Sequence, residues 1–210
     1  MVARGMLVVV SGPSGVGKGT INRGVLELEP NVRFSVSATT RPRRPDEVDG
    51  QHYYFISRAE FERRRAAGEF LEWTEYVGNL YGTLRSQVEE VRSAGCDCLL
   101  EIEVQGARNV REQVPDAVLI FIAPPSLAAL EERINLRGCD SEEEMRSRLE
   151  VARRELAELP YYDYVVINDD RNEAVGRVRA ILQAERLRTD RVAAGLLRGI
   201  NRGEGVDECQ

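Results

Sequence analysis

A short apolar run, Met6-Leu7-Val8-Val9-Val10, passes straight into Gly12-Pro13-Ser14-Gly15-Val16-Gly17-Lys18-Gly19-Thr20, and no other stretch limits the fold so tightly. A continuous apolar run of this length reads as a strand buried on both faces. Glycines after it let backbone N–H groups curl around an anion without Cβ clashes, and a helix starting behind them aims its positive end at the same point. Lys18 adds a mobile charge for the outer phosphates of a nucleoside triphosphate. Strand, glycine turn and helix in this order make a phosphate-binding P-loop. One letter departs from the pattern: Gly19 stands where a Ser or Thr usually offers its hydroxyl to Mg²⁺, and Thr20 comes one place later.

Three more apolar runs read as buried parallel strands: Cys98-Leu99-Leu100-Glu101-Ile102, Val118-Leu119-Ile120-Phe121-Ile122 and Tyr164-Val165-Val166-Ile167. Helical patterns lie between them, over Gln105 to Val114, Ser126 to Leu136 and Glu142 to Leu159. Ser126 and Ser141 stand at N-cap positions, the latter ahead of the acidic run Glu142-Glu143-Glu144. Such alternation predicts an α/β domain with a parallel sheet, whose ligands bind at the carboxyl ends of the strands. Residues 35 to about 90 break the alternation. Ser35-Val36-Ser37, His52-Tyr53-Tyr54-Phe55 and Phe70-Leu71-Glu72-Trp73 are short, with turn signals at Asp49-Gly50 and Gly78-Asn79, which predicts a small mixed insertion. The charged stretch from Arg133 to Arg154, with Gly138 at its middle, is a second candidate flap. The tail from Gly195 is rich in Gly, Asn and charge and is expected to fray.

Positive charge is gathered locally in a chain of net charge −6, an acidic balance that excludes a general nucleic-acid binder. In Thr39-Thr40-Arg41-Pro42-Arg43-Arg44-Pro45 the prolines hold the backbone extended, so the arginines project in fixed directions suited to bidentate capture of a phosphate. An exposed basic turn explains the same letters equally well until the P-loop is considered. Arg133 and Arg137 share a helix face, with Arg146 and Arg148 further on, which suits either a solvated surface or a lid swinging over transferring phosphates. Glu72, among apolar neighbours, needs a specific partner or a place at the surface. A guanine edge, with its N1–H and 2-amino donors, is one such partner, whereas adenine would leave the carboxylate unpaired. Tyr53, Tyr81 and Thr83 add hydroxyls for the same ligand's phosphate.

These stretches, with Ser37-Ala38-Thr39-Thr40-Arg41, Glu47-Val48-Asp49-Gly50, Gly78-Asn79-Leu80-Tyr81-Gly82-Thr83, Val104-Gln105-Gly106 and Asn168-Asp169-Asp170, resemble the motifs of guanylate kinases in order and spacing over residues 5 to 185. The resemblance implies an α/β P-loop nucleoside monophosphate kinase: a parallel sheet core flanked by helices (residues 1–34, 91–126 and 153–190), a GMP-binding insertion (35–90), a helical lid (127–152) and a flexible tail (191–210). It implies that Gly12, Pro13, Ser14, Gly15, Val16, Gly17, Lys18, Gly19 and Thr20 cradle ATP phosphates, with Asn168 near the adenine. Ser37 and Glu72 would read guanine, and Arg41, Arg44, Tyr53 and Tyr81 would hold the GMP phosphate with Thr83 beside them. Lys18, Arg41, Arg133, Arg137 and Arg148 would act on the transferring phosphoryl group. Glu101 and Glu103 match a family position often occupied by Asp-x-Asp, Glu101 near the GMP. The expected cofactor is Mg²⁺ with no direct protein ligand assigned, Thr20 and Glu103 reaching it through water.

The expected reaction is transfer of the ATP γ-phosphoryl group to GMP, and to dGMP, giving the diphosphates. The acceptor oxygen is already anionic, so the single histidine, His52, reads as structural. Rival readings are a kinase for another mononucleotide and a guanylate-kinase-like module that binds phosphorylated peptides, against which the intact Lys18 and glycines speak. No apolar run nears the roughly 20 residues of a membrane helix, and the short N-terminal apolar segment, which runs straight into the P-loop, is not expected to be a cleaved leader, so a cytosolic chain is expected. The cysteines Cys96, Cys98, Cys139 and Cys209 lack metal-site spacing and read as reduced thiols. The oligomeric state is not legible.

Overall fold

The computed structural model describes residues 4–76, 78–135 and 141–202. In chain order the elements are β1 (Leu7–Ser11), α1 (Lys18–Leu28), β2 (Val32–Phe34), β3 (Ala38–Thr39), β4 (Tyr54–Phe55), α2 (Arg58–Ala66), β5 (Phe70–Tyr76), β6 (Asn79–Leu84), α3 (Arg85–Ser93) and β7 (Asp97–Glu101). They continue as α4 (Val104–Gln113), β8 (Val118–Ala123), α5 (Leu127–Asn135), α6 (Glu142–Leu156), a 3₁₀ turn (Leu159–Tyr161), β9 (Tyr164–Ile167), α7 (Arg171–Arg186) and α8 (Thr189–Arg202). Five strands pair all-parallel in the order β2-β7-β1-β8-β9, and four make a smaller mixed sheet in the order β4-β3-β6-β5. The expected strands after the P-loop are β7, β8 and β9 with slightly shifted ends.

Strand β1 explains why its sequence is apolar without a break. Alternate side chains point to opposite faces. Val8 and Val10 pack with Ile21 and Val25 of α1 and Val175 and Val178 of α7, while Leu7 and Val9 pack with Val88 of α3 and Ala107 and Val110 of α4. With β7 and β8 paired on its two edges, β1 is enclosed on every side, and its carboxyl end is where the strand order reverses.

The smaller sheet has its own core of Ala38, Phe61, Phe70, Leu80 and Leu84. Phe61 and Phe70 stack at 4.3 Å, over a glycine, Gly82, where a Cβ would fall 2.8 Å from the Phe70 ring. Ser35-Val36-Ser37 is not a strand of its own but the crossing between the sheets. The Ser35 N–H still bonds Leu99 of the large sheet, and the Ser37 carbonyl already accepts from Tyr54 of the small one. Both expected serine caps are present: Ser126 accepts from Ala129 N–H, and Ser141 forms a full capping box with Glu144. The chain expected as a flexible tail from 191 instead continues α8 to Arg202, carried through Gly195 by helix-forming Ala193, Leu196 and Leu197. Among the described residues no helix is long and apolar enough to cross a membrane. Cys96 and Cys98 are free thiols, the Cys98 thiol pushed up to about 12 by burial; Cys139 and Cys209 lie outside the described residues.

A charge cluster closes the sheet at the end away from the P-loop. Glu29, just past α1, accepts from Arg179 and Arg186 of α7, both at 2.9 Å. Arg186 also reaches Asp97 at 2.8 Å, and Asp97 in turn accepts the Met6 N–H at 2.9 Å. Burial alone would raise the Glu29 pKa, but the two arginines outweigh it and hold the carboxyl below its usual range. A depressed pKa contributes stability that is complete above the unfolded value of 4.5 and is lost as pH falls through the folded one. Arg186→Ala strands Asp97 and leaves Glu29 with Arg179 alone; because Arg186 keeps 31% exposure, the loss should be about 2–3 kcal/mol, below that of a fully buried pair. Urea unfolding at pH 7 checks the loss, and repeated at pH 4 it should show a smaller gap between variant and parent.

Candidate active site

The loop between β1 and α1 is pressed against the strand ends. At Gly12, with φ +140°, a Cβ would lie 2.2 Å from the Ile122 carbonyl oxygen, so no side chain fits. Gly17, at φ +102°, is the N-cap of α1, and a Cβ there would fall 2.6 Å from the Asn168 amide nitrogen. α1 carries no acidic residue in its first turn, so its amino end keeps its positive field turned on the loop. The Lys18 ammonium is buried and donates to the carbonyls of Gly12 at 2.5 Å and Pro13 at 3.2 Å.

Asn168, expected near the adenine, is a wedge behind the loop. Its amide donates to the Val16 carbonyl at 2.7 Å, and its own carbonyl accepts from Arg133 at 2.8 Å. Arg133, at the end of α5, also donates to the Val16 carbonyl of the loop at 3.4 Å. Arg148 is exposed on α6, one turn beyond Glu144; Arg137 and Gly138 lie outside the described residues.

Two cavities open on this centre. One, of about 380 Å³, is floored by Ser14, Gly15, Gly17, Lys18, Gly19 and Thr20. The other, of about 370 Å³, runs under the small sheet past Ser37, Tyr53, Glu72, Thr74 and Tyr81. Lys18, Glu101 and Glu103 line both and form the wall between them.

At the floor of the second cavity is Glu72, 6% exposed. The ladder between β5 and β6 slips by a residue between Phe70 and Glu72, and that bulge sets Glu72 opposite Thr83. Leu71 is thereby free to enter the main core while Phe70 stays in the small one. Thr83, expected beside a ligand's phosphate, is wholly buried and donates its hydroxyl to Glu72 at 2.6 Å instead. Gly106, in the first turn of α4, leaves room for the carboxylate: a Cβ there would stand 2.8 Å from it. Burial raises the Glu72 pKa, opposed by the Thr83 hydroxyl and N–H, and the nearby Glu103 charge pushes it the same way as burial.

Tyr53 and Tyr81 meet edge to face at 6.0 Å on the cavity's far wall, and burial raises the Tyr53 hydroxyl. Arg41 lies behind Tyr53, its guanidinium 5.6 Å from the ring centre and paired with Glu47 at 2.6 Å. Arg44 is exposed, its N–H bound to the other Glu47 oxygen. His52, expected to be structural, accepts the Val48 N–H through its Nδ1 at 2.9 Å and also lines the second cavity.

Sequence reasoning missed Asn22, on the Gly19 face of α1, which holds Glu101 at 2.8 Å. A Cβ on Gly19 would stand 3.6 and 3.7 Å from the Glu101 oxygens, so the missing P-loop hydroxyl faces a carboxylate. Helical spacing between Lys18 and Asn22 was the available signal. Also missed was Glu155 of α6, whose carboxyl is pushed up to about 7 by burial and by Glu103, with Lys18 opposing. Among the described residues no three His, Cys, Asp or Glu side chains form a metal cage. Hard oxygen donors on one wall of a phosphate-sized cavity instead suit Mg²⁺ carried on a nucleotide.

The guanylate kinase family model matches residues 4–185. A guanylate kinase of Symbiobacterium thermophilum is 55% identical over 206 residues, covering 98% of both chains, and one of Carboxydothermus hydrogenoformans is 49% identical over 189 residues, covering 90% of this chain and 93% of that one. The crystal structure of guanylate kinase from Anaplasma phagocytophilum superposes with a TM-score of 0.76 at 35% identity, covering 98% of both chains.

The buried carboxylate burdens the fold. A raised folded pKa favours folding only below the unfolded value of 4.5, and the advantage is lost as pH rises through the folded one. Glu72→Gln should therefore melt higher than the parent at pH 7, and the two should converge as pH approaches 4.5; calorimetry across that range checks it.

Proposed function

The chain belongs to the guanylate kinase family and is an ATP:GMP phosphotransferase, and from that premise we propose how its residues divide the work. GMP occupies the cavity under the small sheet and the ATP phosphates occupy the loop cavity. The observation that carries this is the shared wall of Lys18, Glu101 and Glu103, which sets the two cavities back to back.

Glu72, held by Thr83, accepts the N1–H and 2-amino hydrogens of guanine, with Ser37 beside it. The same pocket takes dGMP, since those contacts leave the sugar out. Tyr53 and Tyr81, with Arg41 and Arg44 behind them, receive the acceptor's phosphate. The loop amides and the amino end of α1 hold the donor's phosphates, and Asn168 sets the loop's shape. A phosphate oxygen already carries its charge at pH 7, so no side chain has to take a proton. The protein supplies alignment of acceptor and donor and compensation of the charge that shifts between them. Lys18 reaches the transferring group from the shared wall. Arg133 closes on it from the lid side, together with Arg137 and Arg148. Mg²⁺ bound with ATP would further offset charge on the phosphate oxygens, held near Thr20, Glu101 and Glu103. An acidic chain working on small nucleotides in the cytosol completes the reading.

A coupled ADP-release assay tests it. GMP and dGMP should turn over, and kcat/KM for AMP, CMP and UMP should be lower by about 10⁴-fold, because none of them presents two adjacent N–H donors to the buried carboxylate. Comparable turnover of AMP would remove Glu72 from base recognition. Lys18→Ala should cut kcat by about 10²–10³-fold with the GMP Kd little changed. Near-parental turnover in that variant would overturn the assignment of the loop.

A further inference from the structure

Glu47 has no share in the division of labour above, yet it is among the most fully engaged carboxylates near the acceptor cavity. Its side chain is 11% exposed and bridges two elements of the basic loop. One oxygen takes Arg41 Nη2 at 2.6 Å, and the other takes the Arg44 backbone N–H at 2.8 Å. Arg41, 16% exposed, also donates Nη1 to the Pro42 carbonyl at 2.8 Å. Its guanidinium lies 5.6 Å from the centre of the Tyr53 ring and 5.8 Å from that of Phe55. The loop closes on itself around this pair, with Asp49 accepting the Phe55 N–H and His52 accepting that of Val48, both at 2.9 Å.

We propose that Glu47 is a positioning residue for the acceptor's phosphate: it anchors Arg41 against Tyr53 so that the guanidinium's remaining N–H groups are set in advance to receive the anion. The inference rests on the reading of the neighbouring cavity as the GMP site. Two features favour an anchor over a competing anion that must first be expelled. A guanidinium has five N–H donors, so it can keep Glu47 and still offer a fork to a phosphate. Expelling Glu47 would break both of its bonds at once and release Arg44's backbone with Arg41. An arginine ordered beforehand loses less rotamer freedom on binding, which strengthens the complex without a new contact. Arg41 and Arg44 hold the Glu47 carboxyl down at about 2, so the anchor is charged throughout the working pH range.

The test separates the phosphate from the base. GMP and guanosine are titrated into the parent and into Glu47→Gln by calorimetry, with Tm measured alongside. Arg41 and the Arg44 N–H bind different oxygens of Glu47, and Gln would put an NH2 donor against one of these two donors. The expected result is a GMP Kd weakened by about 10-fold, with guanosine and ATP affinities unchanged and Tm preserved. In an Arg41→Ala background, Glu47→Gln should add nothing further to the GMP Kd. GMP bound as in the parent, or more tightly, would overturn the proposal, the latter pointing to a competing anion. Parallel loss of GMP and guanosine, an effect that persists without Arg41, or a variant that no longer folds would overturn it too, by making Glu47 a support of the loop alone. Failure of the underlying site reading would show separately, as a parent protein that does not distinguish GMP from guanosine.

Discussion

The close approach of the glycine loop to the strand ends is the constraint on which the remaining architecture depends. Gly12 can pass over the Ile122 carbonyl, and Gly17 beside Asn168, only because neither has a side chain. Both contacts require β8 and β9 to lie on the same side of β1 and in fixed register, Val10 level with Ile120 and Ala123 level with Ile167. On the other edge, the pairing of Val10 with Glu101 ends β7 beside the loop, so that the wall between the cavities is a product of register. The apolar enclosure of β1 thus does more than hold the domain together: it sets the relative heights of the loop, Asn168 and Glu101.

The small sheet adds an element that the large one lacks, a carboxylate that is almost wholly buried at the floor of a cavity. Hydrophobic collapse alone would expel Glu72. The bulge before it, the Thr83 hydroxyl behind it and the absence of a side chain at Gly106 are the local arrangements that keep it in. None of them fully compensates the burial, since the pKa is still raised. The remaining imbalance is what a ligand with adjacent N–H donors can correct, so on the proposed reading the residue that weakens the empty fold would supply the discrimination.

Legibility in the sequence followed the range of the interactions. Strands β1, β7, β8 and β9 were readable because burial on both faces leaves an apolar run, and the P-loop because its chemistry lies within nine consecutive residues. Edge strand β2 was not: only Val32 of its three residues is buried, leaving no pattern to read. The resemblance to guanylate kinases brought Glu72, Ser37 and the tyrosines to one pocket, and the structure does gather them. It could not say that Thr83 sits behind Glu72 rather than in the cavity, because that depends on a one-residue slip in a ladder. Nor could it pair Asn22 with Glu101 across 79 residues of chain, or dock Arg133 on carbonyls 35 and 117 residues away. Such contacts follow from the assembled topology and carry no local signature.

The way each cation is held then separates the two halves of the site. Lys18 and Arg133 are oriented by main-chain carbonyls, Gly12 and Pro13 for one, Val16 and Asn168 for the other. Carbonyl oxygens fix direction without cancelling charge, so on the proposed reading both groups would keep their full field for a phosphoryl group whose charge shifts during transfer. Arg41 is oriented by a carboxylate, which fixes direction and cancels much of the charge. That is tolerable for a phosphate that only has to be held, because geometry and spare N–H donors then matter more than net potential. It would be a poor arrangement at the transferring group, where compensation of charge in a water-poor space is the main contribution a protein can make. Glu101 and Glu103 share the wall of the loop cavity with Gly19, where a divalent cation carried on the nucleotide would offset their charge.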